Sequence, residues 1–311
     1  MARHGDSNTA QSLVGKAYSL LKQTFQEWLQ DKAPQLGAAL AYYTVFSLAP
    51  LILVLLAIVG FIFRDDPSGA WDKLTQQMSY FLDASAMHVI QNIAQKASQT
   101  DKSGLATIIG IALAIFGASG VFGQLQDALN TIWGVKAKPG LGIWGFLRNR
   151  FLSFAMVAGI CFLLLVSLTI EALLKGFSHY MQSILPGGIV IALGVYLIFD
   201  FAVVVLVLAM IFKFLPDVKV QWRDVWIGAV MTAILFGIGK WLLGLYLGSA
   251  AAGSAYGAAS SLITLLLWVY YSSQILLFGA EFTQVYAQRA GRALKPSEYA
   301  VRLETTQVEV P

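Results

Sequence analysis

Long apolar segments are the feature of this sequence that most restricts its fold. Six of them reach the length of about 20 residues that a helix needs to cross a hydrocarbon core of about 30 Å. A backbone surrounded by lipid must satisfy its own hydrogen bonds, so each segment is predicted to be an α-helix. The predicted spans are residues 36–63, 104–132, 147–173, 187–214, 225–248 and 257–283.

The composition agrees with a membrane location. Of the 311 residues, 57% are hydrophobic and 12% are charged, whereas soluble domains contain about 45–50% apolar and about 25% charged residues. The predicted fold is therefore all-α, a polytopic membrane helical bundle of six transmembrane helices with interfacial amphipathic helices added.

Amphipathic segments flank the first span. Residues 11–32 carry one apolar stripe beside charged side chains, a pattern that predicts a helix lying on the membrane surface. The stripe consists of Val14, Tyr18, Leu21, Phe25 and Trp28. The outer segment 64–103 is predicted to form two short amphipathic helices. We thus expect a cytoplasmic arm with its interfacial helix (1–32), a six-span domain (33–290) and a disordered cytoplasmic tail (291–311).

The distribution of Lys and Arg predicts the orientation. Basic residues concentrate in the N-terminal arm, in the loops after spans two and four, and in the tail. Six spans put these four regions on one side, which the positive-inside rule identifies as the cytoplasm. The sequence therefore predicts a multi-pass membrane protein with both termini in the cytoplasm.

The sequence contains few residues that could form a metal site or a nucleotide-binding site. Cys161 is the single cysteine, and His4, His88 and His179 are far apart in the chain, so neither residue type predicts a metal cluster. A phosphate-binding loop of the GxxxxGK[ST] type is absent from the sequence. We expect no metal and no cofactor.

Two charged residues fall deep within predicted spans. An ionisable group in the bilayer is costly and should face the bundle interior or water. Asp200 lies near the middle of span four and is either a proton or substrate contact or a structural polar partner. Lys240 lies deep in span five, where it either extends to the outer interface or pairs with Glu171 or Asp200.

Another polar group is predicted near the cytoplasmic ends of spans two and six. Asp127 and Asn130 lie near that end of span two, and Glu281 lies at the same depth in span six. Glu281 is expected to accept hydrogen bonds from a facing helix or to pair with Arg148 or Arg150. The alternatives for this group are a structural clamp and part of a transport pathway.

Span six also carries uncharged polar residues. On a helix Tyr270, Ser273 and Gln274 share one face, while Tyr271 points elsewhere. This stripe either holds helices together through hydrogen bonds or lines a hydrated groove. With Asp200 and Lys240 it supplies the candidate residues for a substrate or ion pathway.

Four motifs resemble a known family. The sequence resembles the YihY/BrkB family of bacterial inner-membrane proteins over about residues 20–290. The motifs are APQLGAALAYYTVFSLAPLILVLLAIVG, FGASGVFGQLQDALNTIWGV, FLPDVKVQW and AYGAASSLITLLLWVYYSSQILLFGAEF. The resemblance implies six membrane spans and a role in the cell envelope or virulence. Many members of this family also carry an older label as a ribonuclease.

Three functions follow as hypotheses. The first is a transporter or lipid-handling protein of the cell envelope with a polar cavity inside the membrane. The alternative is a non-transporting scaffold whose outer segment docks a periplasmic partner. A membrane-bound ribonuclease is least favoured, because RNA hydrolysis would need clustered metal ligands and an RNA-binding face. We thus expect membrane lipids and an envelope protein as partners, no nucleic acid and no enzymatic activity.

Overall fold

The computed structural model of the chain is mainly helical. It describes residues 5–62, 67–78, 120–138, 188–248, 260–292 and 294–303, together with 87, 90–92, 95 and 159. The helices are α1 (Gly5–Gln30), α2 (Ala33–Ile62), α3 (Pro67–Met78), α4 (120–132), α5 (Gly188–Phe214), α6 (Trp222–Gly248) and α7 (Ser260–Arg289).

Three helices in the described part of the chain are long and apolar enough to cross a membrane. The qualifying segments are Leu197–Phe214, Trp222–Leu243 and Leu262–Arg289, which coincide with predicted spans four to six. The 30-residue helix α2 covers the first predicted span. Most of predicted spans two and three, including Glu171, lies outside the described residues.

Large apolar side chains point outward from these helices. Ile198 is 72% exposed, Trp241 64% and Leu242 51%. A soluble protein rarely exposes such a continuous apolar surface, whereas lipid tails solvate it well. The outward-facing surface therefore identifies these helices as membrane helices independently of their length.

The buried core lies where α2, α4, α5, α6 and α7 meet. Leu129 of α4, Phe212 of α5 and Leu277 of α7 are each 0% exposed and belong to one cluster. Trp133, just after α4, donates its indole N–H to the carbonyl oxygen of Ala280 at 3.3 Å. This end of the bundle is thus held by apolar packing and by a buried hydrogen bond between distant segments.

Two small antiparallel sheets close the same end of the bundle. Strand β1 (Val135–Ala137), after α4, pairs with β4 (Ala300–Arg302), and β2 (Val218–Lys219), between α5 and α6, pairs with β3 (Lys295–Pro296). We call residues 133–138, 215–221 and 291–303 together the cap. Because the cap joins the loops after spans two and four to the tail, it places these three basic regions at one end of the molecule.

The cap includes residues 294–303 of the tail that was predicted to be disordered, while residues 304–311 lie outside the described part of the chain. Residues 294–303 are ordered, and Ala300 is 4% exposed within the core cluster. The order of these residues comes from strand pairing with two loops about 80 and 160 residues away in the chain. Such short strands leave no apolar periodicity in the sequence of the tail. Gly291 starts this segment in the left-handed conformation, with φ of 68°, and so ends α7 as glycine commonly ends helices.

The N-terminal helix α1 is tied to the C-terminal end of α7. Arg289 donates from Nε to the side-chain oxygen of Gln23 at 2.7 Å and from Nη1 to the hydroxyl of Ser19 at 2.8 Å. On the other side of α1, Tyr18 and Phe25 of the apolar stripe are exposed. The helix therefore turns its polar side to the protein and much of its apolar stripe to the surroundings.

Candidate functional site

Three carboxyl groups meet where α1 packs against α7. Glu281 of α7 is 0% exposed. Its carboxyl group contacts that of Asp31, in the turn after α1, and lies near that of Glu27 on α1. Neither oxygen of Glu281 receives a hydrogen bond from an N–H or O–H donor within the described residues. The contact between Glu281 and Asp31 is favourable when the two groups share a proton, because two carboxylates would repel each other.

Burial raises the pKa of the Asp31 carboxyl group above its ordinary value. A hydrogen bond with Glu281 lowers this pKa, and the negative charge of Glu27 raises it, so the net direction is upward. Glu27 is itself held by Gln23, whose amide N–H donates to Glu27 Oε1 at 2.7 Å. The folded protein therefore favours the protonated form of Asp31.

The pairing of Glu281 with Arg148 or Arg150 stays a prediction. Arg148 and Arg150 lie outside the described residues, and the described neighbours of Glu281 are acidic instead of basic. The sequence did not indicate this meeting, because Asp31 sits in a polar turn about 250 residues away and resembles an ordinary solvated acid. The turn is tight, since Lys32 adopts a φ of 53° and α2 begins at the next residue.

The polar residues of α7 divide between two cavities. Ser273 faces a cavity of about 310 Å³ between α5, α6 and α7, together with Thr232, Phe236 and Trp268. Its hydroxyl donates to the carbonyl oxygen of Val269 at 2.8 Å. The single donor hydrogen of Ser273 is thus used within its own helix, so its hydroxyl can act toward the cavity as a hydrogen-bond acceptor.

Gln274 lies on the wall of the other cavity. We call this cavity, of about 350 Å³, the lateral cavity, and it lies between α1, α6 and α7. The residues that line it are mostly apolar: Phe25, Trp28, Leu235, Ile238, Gly239, Leu242, Tyr271, Gln274, Ile275 and Phe278. Tyr271 thus accompanies Gln274 in the lateral cavity, whereas Ser273 lines the other cavity and Tyr270 is exposed.

The amide of Gln274 is buried without a described partner. Its Oε1 and Nε2 atoms, and the indole nitrogen of Trp28 in the same cavity wall, make no hydrogen bond within the described residues. Helix α2 approaches closely here, because a Cβ atom added to Gly37 would overlap the Gln274 amide. Unpaired buried polar groups are costly, so the lateral cavity offers hydrogen-bonding capacity within an apolar wall.

Asp200 and Lys240 lie on neighbouring helices within range of an electrostatic interaction. The negative charge of Asp200 on α5 acts on the ammonium group of Lys240 on α6. Asp200 is half-buried and Lys240 is exposed at the surface of the described chain. Neither residue lines the two cavities just described. The pair is thus separate from the polar residues of α7 with which it was grouped.

Asn130 connects α4 to the cap. Its amide nitrogen donates to Asp217 Oδ2 at 3.0 Å, and its Oδ1 accepts the backbone N–H of Asp217 at 2.8 Å. Gln126 donates to the same carboxylate oxygen at 3.2 Å. Asp127, three residues earlier in the same helix, is exposed. Asn130 therefore fixes the loop between α5 and α6.

The sequence of this chain matches a known protein family. Residues 24–303 match the family model described as Virulence factor BrkB. The chain belongs to the BrkB family. Curated members include a UPF0761 membrane protein of Albidiferax ferrireducens, which is 30% identical over 82% of this chain, and one of Tolumonas auensis, which is 25% identical over 86% of each chain.

A third relative carries a different kind of name. A Bacillus subtilis protein named as ribonuclease-like, YfkH, is 27% identical over 87% of this chain and 96% of its own length. This chain spans 59% of the length of the Albidiferax relative. No solved structure matches the chain. Membership of the BrkB family thus establishes an integral membrane protein.

Several polar contacts of this BrkB-family protein join residues that no local sequence pattern connects. Asp217 lies in the motif FLPDVKVQW, where the proline before it indicates a turn and nothing indicates Asn130 as its partner. Asp224 is 1% exposed and pairs with Arg292 at 2.6 Å. Within the described residues no group of three His, Cys, Asp or Glu side chains is arranged to hold a metal ion.

Proposed function

We propose that this BrkB-family protein is a lipid-handling protein of the bacterial inner membrane that binds a membrane lipid and moves it. The lateral cavity is the observation that carries the proposal. Its volume falls within the range of about 300–1,000 Å³ that is usual for ligand sites. Its wall is apolar, and Ile238 and Leu242 at its edge are exposed, so the cavity is reachable from the side that lipid tails occupy.

The few polar groups in the cavity suit a lipid better than a small polar solute. An acyl chain would contact the aromatic and aliphatic wall, and an ester carbonyl would accept a hydrogen bond from the Gln274 amide or the Trp28 indole. Helix α1 contributes Phe25 and Trp28 to this wall and exposes its apolar stripe. This supports an interfacial position for α1, where it would lie beside the entry to the cavity.

The proposal includes the full topology and assigns no enzymatic reaction. We infer six spans with both termini in the cytoplasm, since the cap gathers three of the four basic regions and Arg289 ties α1 to that end. The two UPF0761 relatives are named as membrane proteins. We infer no nucleic-acid partner. A periplasmic protein partner belongs to the alternative, a scaffold that acts through residues 64–103.

A pair of matched variants tests the proposal. Ile238→Trp would fill the lateral cavity from its edge. Ile234→Trp adds the same ring one helical turn away, at a residue that is also exposed but does not line the cavity. The measurement is transbilayer movement of fluorescently labelled phosphatidylglycerol in proteoliposomes, with retained lipid determined by native mass spectrometry.

We expect the unaltered protein to move the labelled lipid faster than protein-free liposomes do. Ile238→Trp should reduce both this rate and the retained lipid by roughly tenfold, which corresponds to about 1.4 kcal/mol, while Ile234→Trp should leave both unchanged. Lipid movement no faster than in protein-free liposomes would reject the transport role and favour the scaffold. Equal behaviour of the two variants would show that the lateral cavity is not the site.

A further inference from the structure

A third cavity lies in the cap and differs in chemistry from the other two. It has a volume of about 460 Å³ and is enclosed by the end of α7, the residues after α4 and the end of β4. We call it the cap cavity. Its polar side chains are Gln284, Gln288, Arg292 and Arg302, and none of the described residues that line it is acidic. The cap cavity therefore combines positive charge with amide groups.

The two arginines retain free hydrogen-bonding capacity. Arg292 uses one guanidinium nitrogen to bind Asp224 at 2.6 Å, but its Nε is buried without an acceptor among the described residues. Arg302 is exposed, and no described carboxylate forms a salt bridge with it. Since Asp224 offsets the charge of Arg292, the cavity keeps about one net positive charge, from Arg302.

The glutamines add neutral groups on one helix face. Gln284 and Gln288 are one turn apart on α7, and Arg292 follows at the same spacing just beyond the end of the helix. The side-chain oxygen of Gln284 is buried without a donor among the described residues. Rotation of this amide by half a turn would present its NH₂ group instead. An anion in the cavity could thus receive hydrogen bonds from both types of side chain.

Exposed tryptophan rings lie next to the cap cavity. Arg292 pairs with Asp224 in the first turn of α6, next to the exposed aromatic rings of Trp222 and Trp226. Tryptophan at a helix end commonly marks the interface between membrane and water. A ligand could therefore approach either from the aqueous phase or from the headgroup layer.

We propose that the cap cavity binds a phosphate group through Arg302, Arg292 and the glutamine amides. Arginine is suited to this task because its planar guanidinium group can donate two parallel hydrogen bonds to phosphate oxygens. The phosphate belongs either to an anionic lipid headgroup or to a free phosphate in solution. This inference goes beyond the lipid function proposed above, since it concerns another cavity and stands if lipid movement is absent.

Matched charge variants of the cap test the proposal. Arg302→Gln removes the free cation of the cavity. Lys136→Gln makes the same charge change in the paired strand, at a side chain on the opposite face of the sheet, because Lys136 pairs with Val301 and Arg302 pairs with Val135. Arg302→Lys keeps the charge but loses the forked donor, and the melting temperature of each variant without ligand shows whether it folds.

The experiment measures the shift in melting temperature caused by two probes. Inorganic phosphate is titrated against the full chain in detergent, with sodium chloride at the same ionic strength as reference. In the second arm the protein is placed in nanodiscs of phosphatidylglycerol or of phosphatidylcholine. A ligand that binds the folded state raises the melting temperature, and the concentration dependence gives the apparent Kd.

We expect at least one arm to show stabilisation that Arg302→Gln weakens by roughly tenfold, that Arg302→Lys weakens less and that Lys136→Gln preserves. A response to inorganic phosphate identifies a site for free phosphate. A response to phosphatidylglycerol alone identifies a headgroup site. The proposal is overturned if neither probe stabilises the protein, or if Lys136→Gln weakens the response as much as Arg302→Gln does.

Discussion

At residue 281 a carboxyl group is completely buried in the chain beside a second carboxyl group, that of Asp31. Burial of a charged carboxylate without a cation is strongly unfavourable. The described residues supply no such cation within salt-bridge distance of either group. The fold therefore tolerates Glu281 and Asp31 because a proton can lie between them. The contact between these two carboxyl groups joins the end of α1 to α7.

The first prediction concerns the pH dependence of stability. Burial raises the pKa of Asp31 in the folded protein, so folding favours its protonated form. The contribution of Asp31 to stability is fully present below its unfolded pKa of about 4 and is lost as the pH rises through the higher folded value. Asp31→Asn should remove this loss and make the protein more stable than the unaltered chain above that range.

Thermal unfolding in detergent between pH 4 and pH 8 measures this effect. Asp72→Asn is the control, since Asp72 is exposed on α3 and its substitution should leave the pH profile unchanged. If Asp31→Asn lowered the melting temperature at every pH, the raised pKa of Asp31 in the folded protein would be contradicted. The ionised form of Asp31 would then be the stabilising one.

At the scale of helices, α6 and α7 pack through two reciprocal pairs of glycine and threonine. A Cβ atom added to Gly228 would overlap Thr283, and one added to Gly279 would overlap Thr232. Each threonine hydroxyl donates to the carbonyl oxygen of the glycine four residues earlier in its own helix, at 2.7 Å. The pairs show that α6 and α7 run antiparallel, with small residues allowing a close approach.

The second prediction is that Gly228→Ala destabilises the protein. The added methyl group would force α6 and α7 apart or displace Thr283, and such overpacking costs about 1–3 kcal/mol. Gly237→Ala is the matched control on the same helix, because a Cβ atom there meets nothing within 4 Å. The control should be neutral or stabilising by about 0.5–1 kcal/mol, as alanine is favoured over glycine in helices.

Unfolding by denaturant or heat in one detergent compares the two variants. Because alanine improves helix propensity at both sites, a lower stability of Gly228→Ala alone isolates the packing term. Equal effects of Gly228→Ala and Gly237→Ala would contradict the close contact between α6 and α7 at Thr283.

For the whole molecule, the cap unites segments that the sequence separates widely. The tail pairs with residues 135–137 and 218–219, and Asp217 accepts hydrogen bonds from Gln126 and Asn130. Buried apolar residues support these contacts, among them Val135 and Val218. The cap therefore joins the ends of α4, α5, α6 and α7.

The third prediction is a cross-link across the cap. Ala137 and Ala300 are opposite residues of β1 and β4. Hydrogen bonds from Lys138 N–H to Tyr299 and from Leu303 N–H to Gly134 identify the pair as one whose side chains are close. With Cys161 replaced by serine, Ala137→Cys and Ala300→Cys should form a disulfide on mild oxidation.

Electrophoresis after cleavage between the two positions detects the bond in membranes. The control combines Ala137→Cys with Arg302→Cys, two residues out of register, where the Cα atoms should be about 7–8 Å apart and too distant for an unstrained disulfide. Failure of the first pair to cross-link, or equal cross-linking of both pairs, would contradict the pairing of β1 with β4.

The sequence predicted the helices better than their partners. The spans over α5, α6 and α7 and the helix α2 were predictable, because an apolar run of sufficient length has one stable conformation in lipid. The interaction of Lys240 with Asp200 was among the predicted alternatives. The partner of Glu281, the separation of Ser273 from Gln274 into two cavities and the order of the tail were not predictable, since each depends on which helices adjoin α7.

The sequence by itself determined that this chain is a helical membrane protein of a recognisable family, because span length, charge distribution and motifs are local properties of the chain. Only the tertiary structure decided that Asp31 meets Glu281, that Gln274 lies in the wall of the lateral cavity and that Arg292 and Arg302 share the cap cavity. The physical reason is that these contacts join residues far apart in the chain, and a local pattern of apolar and charged residues specifies a helix without specifying its neighbour.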